Sequence, residues 1–489
     1  MALSGSTSTG PLSASSTYTL TCTGSGGQSA ASVIVTVSSQ TGVVVSPRSA
    51  ALTLSQAQQF TATVAVGGAF TWAVDGVAGG NSTVGTISST GNYVAPSTPG
   101  THQILATSVV DSTKSGTATV AVTDLAGVFT YHYDLARTGQ NLQEYALTRA
   151  AVSGGTFGKQ WSCAVDGDLY AQPLYVAHLT ISGTQRNVVI VATQHDSVYA
   201  FDADSGSCVP IWQTSFLIGG ATTIPSTAIS GCTDILTEFG ITGTPVIDPT
   251  TQTLYLVAAT KEAAGYVQRL HALKITSGAE QPGSPVVISA SVINASGATI
   301  AFDALQENQR PALALSGGGV FIGWSGRCDT NPYWGWLMRY DTSSLAQTAV
   351  QNVAPNGYSG AIWMSGGAPA VDNTGAIFLT TGNGTFDDAL GVVPAVAPNN
   401  DFSMSFLNLN PSTLAVQDFY TPSQEAAWSG QDSDISASGV TVIADGLGPS
   451  AHPNLLVSSD KQGHFWLLDR TFLGRYSSTE VAPVFRTRV

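Results

Sequence analysis

Groups that could do chemistry recur in five polar turns: Gln194-His195-Asp196, Lys261-Glu262, Gly326-Arg327-Cys328-Asp329, Asn383 with Asp387, and Asp460-Lys461-Gln462. Gathered in one pocket, such imidazole, carboxylate, ammonium and guanidinium groups transfer protons and make charge-assisted hydrogen bonds. The Arg327 turn is followed by Tyr333, Trp334 and Trp336, and the nearby stretch GCTDILTEFG adds Asp234 and Glu238. Aromatic platforms beside carboxylates and an arginine suit a sugar or an aromatic cofactor. The candidate ligand-binding set is therefore His195, Asp196, Lys261, Glu262, Arg327, Asp329 and Trp334. Arg327 leads it, because a planar guanidinium beside Trp334 and Trp336 could stack and fork onto a carboxylate or sugar hydroxyls. On that expectation Arg327→Ala weakens ligand binding and leaves the melting temperature nearly unchanged. The competing expectation is that hairpin turns are polar for conformational reasons alone.

Other chemistries find less support. The seven histidines show no zinc spacing and no CxxC occurs. Ser365-Gly-Gly is not a nucleophile elbow, which needs GxSxG between strand and helix. Asp202-x-Asp204-x-Gly206 matches only the start of a calcium loop and lacks its terminal glutamate. His132 and Arg137, in YHYDLARTGQN, either fix the lead into the repeats or line a central mouth. Of five cysteines, Cys232 and Cys328 fall on the same rim and are expected to pair; Cys163 with Cys208 is the other pair, leaving Cys22 unpaired.

The elements that would position these turns form a repeat. YAFDADSG, HALKITSG, RYDTSSL, NLNPSTL and LLDRTFL each close an apolar strand with a polar turn, and each follows two further apolar strands. Taking Asp202, Lys274, Asp341, Asn410 and Asp469 as equivalent gives spacings of 72, 67, 69 and 59 residues. The second strands (NVVIVAT, TLYLVAA, GVFIGW, AIFLTT, NLLVSS) are continuously apolar, as strands covered on both faces must be. One such small sheet cannot bury both faces alone, and radial packing solves the problem. The fold class is all-β: a β-propeller of four-stranded blades over 128–489, with five blades visible out of an expected seven or eight, preceded by sandwich modules. Short alternating strands over 43–124, with Trp72 at the centre of one, suit an immunoglobulin-like sandwich, and 1–40 reads as the last strands of another. Long inserted loops are expected at 217–238 and 387–400.

Charged residues make up only 10% of the chain, and the net charge is -14. No Lys/Arg cluster exists to neutralise phosphates, which excludes nucleic acid, and no apolar run is long enough to span a membrane. The first residues lack the charged and apolar regions of a signal peptide. The expectation is that the chain was cut from a longer, exported protein, so that its five-blade region has an open inner edge prone to aggregation.

YAFDADSG followed by Trp212 resembles the repeat of pyrroloquinoline quinone (PQQ)-type propellers through Ala200, Asp202, Ser205, Gly206 and Trp212. GTISSTGNYVAP followed by GTHQILATS resembles bacterial Ig-like domains of the BIG2 type, which serve as stalks or adhesive spacers. The first resemblance implies PQQ stacked between a Trp and a disulfide of adjacent cysteines, with Ca²⁺ held by Glu and Asn and an Asp as base. The chain has no adjacent cysteines and none of those motifs can be placed on it, so no cofactor is expected. The favoured function is an extracellular or cell-surface binding protein, non-enzymatic, taking a glycan, a protein or a small molecule at the propeller rim. The alternative is a secreted quinoprotein oxidoreductase or carbohydrate-active enzyme.

Overall fold

The structure, a computed structural model, describes residues 15–24, 26–35, 42–65, 67–153, 157–387, 400–479 and 483–488. The loop expected at 387–400 lies, apart from its ends, outside them. Two compact units divide the chain: Met1–Leu125 with Gln143–Gly158, and Ala126–Leu142 with Lys159–Val489.

In the first unit, Ser16–Gly24 and Gly27–Val35 pair as an antiparallel hairpin. Among the described residues no third strand joins it, and its side chains are almost all exposed. These are the two strands read as the end of a partial sandwich over 1–40. Residues 43–124 do form two main sheets around one core. Ser49–Thr53, Ser115–Thr123, Gly100–Ser108, Phe70–Val74 and Val77–Ala78 make one; Ala57–Gln59, Asn92–Val94, Gly85–Ile87 and Gly80–Asn81 make the other. Alternation along each strand sends Phe60, Trp72, Tyr93, Ile104 and Val120 inward to a shared cluster.

Among the described residues the second unit holds five blade-like antiparallel sheets in series, besides the hairpin of Ser291–Ile293 and Thr299–Ala301. Blade 1 runs Leu174–Ile181, Thr184–Ala192, Ser197–Asp202, Trp212–Ser215; blade 2 Val246–Asp248, Thr253–Glu262, Gly265–Lys274, Val286–Val287. Blade 3 runs Ala314–Ser316, Gly319–Gly326, Trp336–Asp341, Gln347–Asn352; blade 4 Ala370–Val371, Ile377–Thr380, Phe406–Leu409, Val416–Tyr420; blade 5 Thr441–Val442, Leu455–Ser459, His464–Asp469, Phe485–Arg488. Each is ordered as in the chain, from an inner to an outer strand.

The continuous apolarity of the second strands now has a cause. In blade 2, Leu254 and Leu256 pack on blade 1 with Val188 and Ile190, while Tyr255 and Val257 pack on blade 3 with Ile322 and Trp324. Phe321 of blade 3 turns to Ile377 and Leu379 of blade 4, whose Phe378 turns to Leu456 and Trp466 of blade 5. Successive residues point to opposite faces, and both faces are covered. This is the face-to-face series of a β-propeller.

The repeated polar residue proves to be a turn acceptor. Asp202, Asp341, Asn410 and Asp469 each accept, through Oδ1, the backbone N–H two residues on, at 2.9 to 3.0 Å. Lys274 has no such side chain. There the carbonyl of Lys274 takes the N–H of Gly278, which sits at φ +68 and leaves room for the Trp212 ring that a Cβ would strike. Trp212 in turn donates its indole N–H to the Ile275 carbonyl at 2.8 Å, tying the outer strand of blade 1 to blade 2.

The inner strands do not end in open edges. Residues 126–137 run past them in succession: the carbonyl of Ala126 accepts from Ala177 of blade 1, Phe129 from Ile247 of blade 2, Leu135 from Val371 of blade 4 and Ala136 from Val442 of blade 5. Blade 3 is served by blade 2, Thr244 O accepting from Leu313. This axial segment coils through positive φ at His132, Tyr133 and Arg137. Arg137 holds the coil: its buried guanidinium donates to Pro369 O of blade 4 and to Thr130 Oγ1, Tyr131 O and Asp134 O of the segment itself. The expectation of an unsatisfied inner edge is corrected accordingly. On the outer side, no apolar cluster among the described residues joins blade 5 to blade 1, and Phe465 and Phe485 of blade 5 stay exposed.

Arg137→Ala should strand several buried carbonyls at once and cost about 3 kcal/mol or more of stability. Chemical denaturation would show it as a drop in midpoint; a change within about 0.5 kcal/mol would mean the axial segment is passive.

Candidate functional site

Turns between second and third strands open on one face of the propeller, together with the crossings from one blade to the next. In blade 1 the turn is held by Asp166, which accepts from Thr193 Oγ1 and Ser197 Oγ. His195 is half-exposed, its Nδ1 2.9 Å from Glu238 Oε1 in the crossing to blade 2, and Glu238 also accepts from Thr223 Oγ1. The next residue, Asp196, points inward and is buried. Gly240 makes this possible, since a Cβ there would meet Gln194 O at 2.2 Å and Asp196 Oδ1 at 2.9 Å.

Arg327 is buried too, at 1% exposure, and this overturns its expected place at the surface. Its guanidinium lies over the ring of Phe239 at 4.2 Å, not in a stack on Trp334 or Trp336. The carboxyl groups of Asp196, Glu307 and Asp303 act on its charge. Glu307 Oε1 accepts the backbone N–H of Trp334 and the indole N–H of Trp336, so the two tryptophans serve the carboxylate. Asp196 Oδ1 accepts from Ala259 N at 3.3 Å. Asp196 Oδ2, Glu307 Oε2, Arg327 Nε and Arg327 Nη1 take no hydrogen bond from any described residue. Burial pulls the Arg327 pKa down to about 10 and pushes both carboxyls well above their usual range. The Cys232–Cys328 disulfide, with Cα atoms 5.3 Å apart, ties the crossing to blade 2 onto this turn; Cys163–Cys208 spans 5.1 Å, and Cys22 is free and exposed.

The candidate residues thus divide. Asp196 and Arg327 join Glu307 in a buried charged trio. Glu262 lies elsewhere, paired with Arg269, and Lys261 is exposed beside it. His195 belongs with Glu238. Asp329 accepts from the hydroxyl of Tyr333 at 2.8 Å, and Trp334 donates its indole N–H to Gly357 O. Asp329 alone of the set lines a cleft of about 690 Å³ on this face.

That cleft is built by the blade 3 turn (Asp329, Asn331), the following crossing (Tyr358), the blade 4 turn (Asn383, Thr385) and the crossing to blade 5 (Glu425, Asp432). Tyr358 stands 53% exposed in it. Asn383 donates Nδ2 to Asp432 Oδ1 at 2.8 Å, while its buried Oδ1 takes no partner among the described residues. Lys461 bridges Asp432 and Asp434 at 2.6 Å each. Burial works against ionisation of Asp432, but hydrogen bonds from Lys461 and Asn383 outweigh it and hold this carboxyl below the usual range. Tyr358, Glu425 and Asp432 escaped the sequence argument because they sit in crossings, where no repeat marks them.

No family model matches the chain, and none of the curated proteins does. Among solved structures it is similar to a quinohemoprotein alcohol dehydrogenase from Pseudomonas putida (17% identity, TM-score 0.48, 71% of this chain and 47% of that one) and to another from Comamonas testosteroni (17%, 0.47, 71% and 48%). A europium-containing methanol dehydrogenase gives 15% identity, TM-score 0.49, and 71% and 57% coverage. The chain spans about half the length of these structures. The quinone site implied by the sequence resemblance does not fit the residues present. The disulfide on this face joins Cys232 to Cys328 and not two adjacent cysteines.

Two outcomes follow from the trio. Arg327→Ala should empty the buried space over the Phe239 ring and cost about 3 kcal/mol, in place of the neutral effect expected of a surface group. The folded protein also keeps protons on Asp196 and Glu307 that the unfolded chain releases, so their contribution falls as pH rises above the usual carboxylate range. Asp196→Asn should therefore flatten the loss of stability between about pH 5 and about pH 8, and gain about 1 kcal/mol at the upper end. Denaturation curves at the two pH values would check this; an unchanged slope would remove Asp196 from the account.

Proposed function

We propose that the chain is an exported binding protein in which Ig-like modules of the BIG2 kind present a propeller that holds a polyhydroxylated ligand, a glycan, in the cleft around Tyr358. The observation that carries this reading is the pairing, in one cleft of about 690 Å³, of an exposed aromatic ring with fixed amide and carboxylate groups. A sugar ring offers an apolar face to stack and hydroxyls that both donate and accept. The ionised Asp432 is an exposed acceptor, and hydrogen bonds from Asn383 Nδ2 and Lys461 keep it in place. Asp432 kept ionised cannot donate a proton, which favours binding over acid catalysis.

Two disulfides suit an oxidising compartment. No helix among the described residues is long and apolar enough to cross a membrane.

Immobilised β-glucan, chitin and mannan oligosaccharides are the probes. At least one should retain the protein, and Tyr358→Ala should weaken that binding by about tenfold, or about 1.4 kcal/mol. Its melting temperature should not move, because Tyr358 is mostly in solvent. Retention on none of the panel, or equal binding by the variant, would dismiss the glycan reading; shortened oligosaccharides after incubation would move it to a carbohydrate-active enzyme.

A further inference from the structure

A second cavity, of about 770 Å³, lies between the outer strand of blade 1, with the loop that follows it, and the second and third strands of blade 2. Its wall is mostly small and apolar, with Ala221, Ala258 and Ala279 among the lining residues. Glu262 and Arg269 stand on the same wall and neutralise each other; the hydrogen bond from Arg269 holds the Glu262 carboxyl below its usual range.

One polar group in this wall is fixed and left unused. His271 Nδ1 lies 2.6 Å from Glu280 Oε1, the other oxygen of Glu280 accepts from the Ser284 hydroxyl, and Ser284 Oγ accepts from Ala272 N at 2.8 Å. The ring of Phe216 packs on the imidazole with centroids 4.0 Å apart. A carboxylate only accepts, so Nδ1 carries a proton, and the tautomer this selects leaves the Nε2 lone pair as the acceptor. Nε2 takes no hydrogen bond from any described residue and is not among the fully enclosed atoms, although His271 as a whole is 5% exposed. The acceptor therefore opens on the cavity. Orientation by a carboxylate, a ring packed by Phe216 and a largely apolar wall around an acceptor without a hydrogen-bond partner among the described residues together describe a small-molecule site: apolar walls give affinity, and a placed polar atom gives orientation.

We propose that this cavity binds a compact, largely apolar molecule with one hydroxyl, an alcohol or a phenol, which donates to Nε2 of His271. The site is separate from the rim cleft and does not depend on the glycan reading.

The test is a titration of the whole chain, labelled with ¹⁵N in its histidines, with phenol and with anisole at mildly alkaline pH. Anisole has nearly the same body and no donor. Phenol should shift the Nε2 signal saturably, the signal being assigned by its loss in His271→Leu, and anisole should bind about tenfold more weakly because the buried acceptor goes unpaired. His271→Leu should bring phenol down to the level of anisole. Ala221→Trp, which fills the cavity from its half-exposed lip, should abolish binding of both without moving the melting temperature, and keeps the test decisive where His271→Leu fails to fold. Equal affinity for phenol and anisole, an unmoved Nε2 signal, or phenol binding that survives Ala221→Trp would each overturn the proposal.

Discussion

A four-stranded sheet with two apolar faces has no stable existence in water by itself, and the larger unit is organised around that fact. Leu254 and Tyr255 are neighbours in sequence, yet one is buried against blade 1 and the other against blade 3. Removing any sheet from the middle of the series would expose two clusters, each worth several kcal/mol at roughly 25 cal/mol per Å² of apolar surface. Face-to-face packing also fixes the direction of every strand, so all turns of one kind must open on one side. The position of the candidate sites is a consequence of that packing before it is a consequence of any ligand.

The axis brings a second requirement. Short inner strands converge there with backbone donors facing inward, and buried N–H groups must find acceptors. Residues 126–137 meet the need for four blades, at the cost of left-handed backbone at His132, Tyr133 and Arg137. The buried guanidinium of Arg137 makes that conformation tolerable by gathering four carbonyl and hydroxyl acceptors from the coil and from blade 4. Arg327 plays a related part in the blade 3 turn: buried over Phe239, it joins that turn to the crossing into blade 2, which the neighbouring disulfide also pins. Two buried arginines thus hold together what hydrophobic burial alone would leave free to slide.

How much of this was legible follows from the range of the interactions. Strand order within each blade was, because an apolar run and an Asx turn are local signals: Asp341 accepts from Ser343 and Ser344, residues that stand beside it in sequence. The direction in which a turn residue points was not. Arg327 is buried because Phe239 and Asp196 come from other blades, and Asp196 is buried because Gly240 lets the chain approach. Composition read that turn as a solvent-facing rim; the packing makes it a core. Tyr358 and Asp432 were missed for the opposite reason, since the crossings that carry them have no period to betray them.

The two rims consequently do different work. On one, Asp202, Asp341, Asn410 and Asp469 repeat a single hydrogen bond to their own turn, and where Lys274 breaks the pattern, the left-handed Gly278 closes the turn through the backbone instead. Such a rim is constrained by folding and has little freedom to acquire a ligand. On the other rim no turn repeats its neighbour: His195 pairs with Glu238, Asp329 holds Tyr333, Asn383 holds Asp432 and Asp460 accepts from His464 and Trp466. Variation between otherwise equivalent positions is what a scaffold permits when it does not need those side chains to fold, and the cleft around Tyr358 is the place where that freedom has gathered an exposed ring and fixed acceptors together.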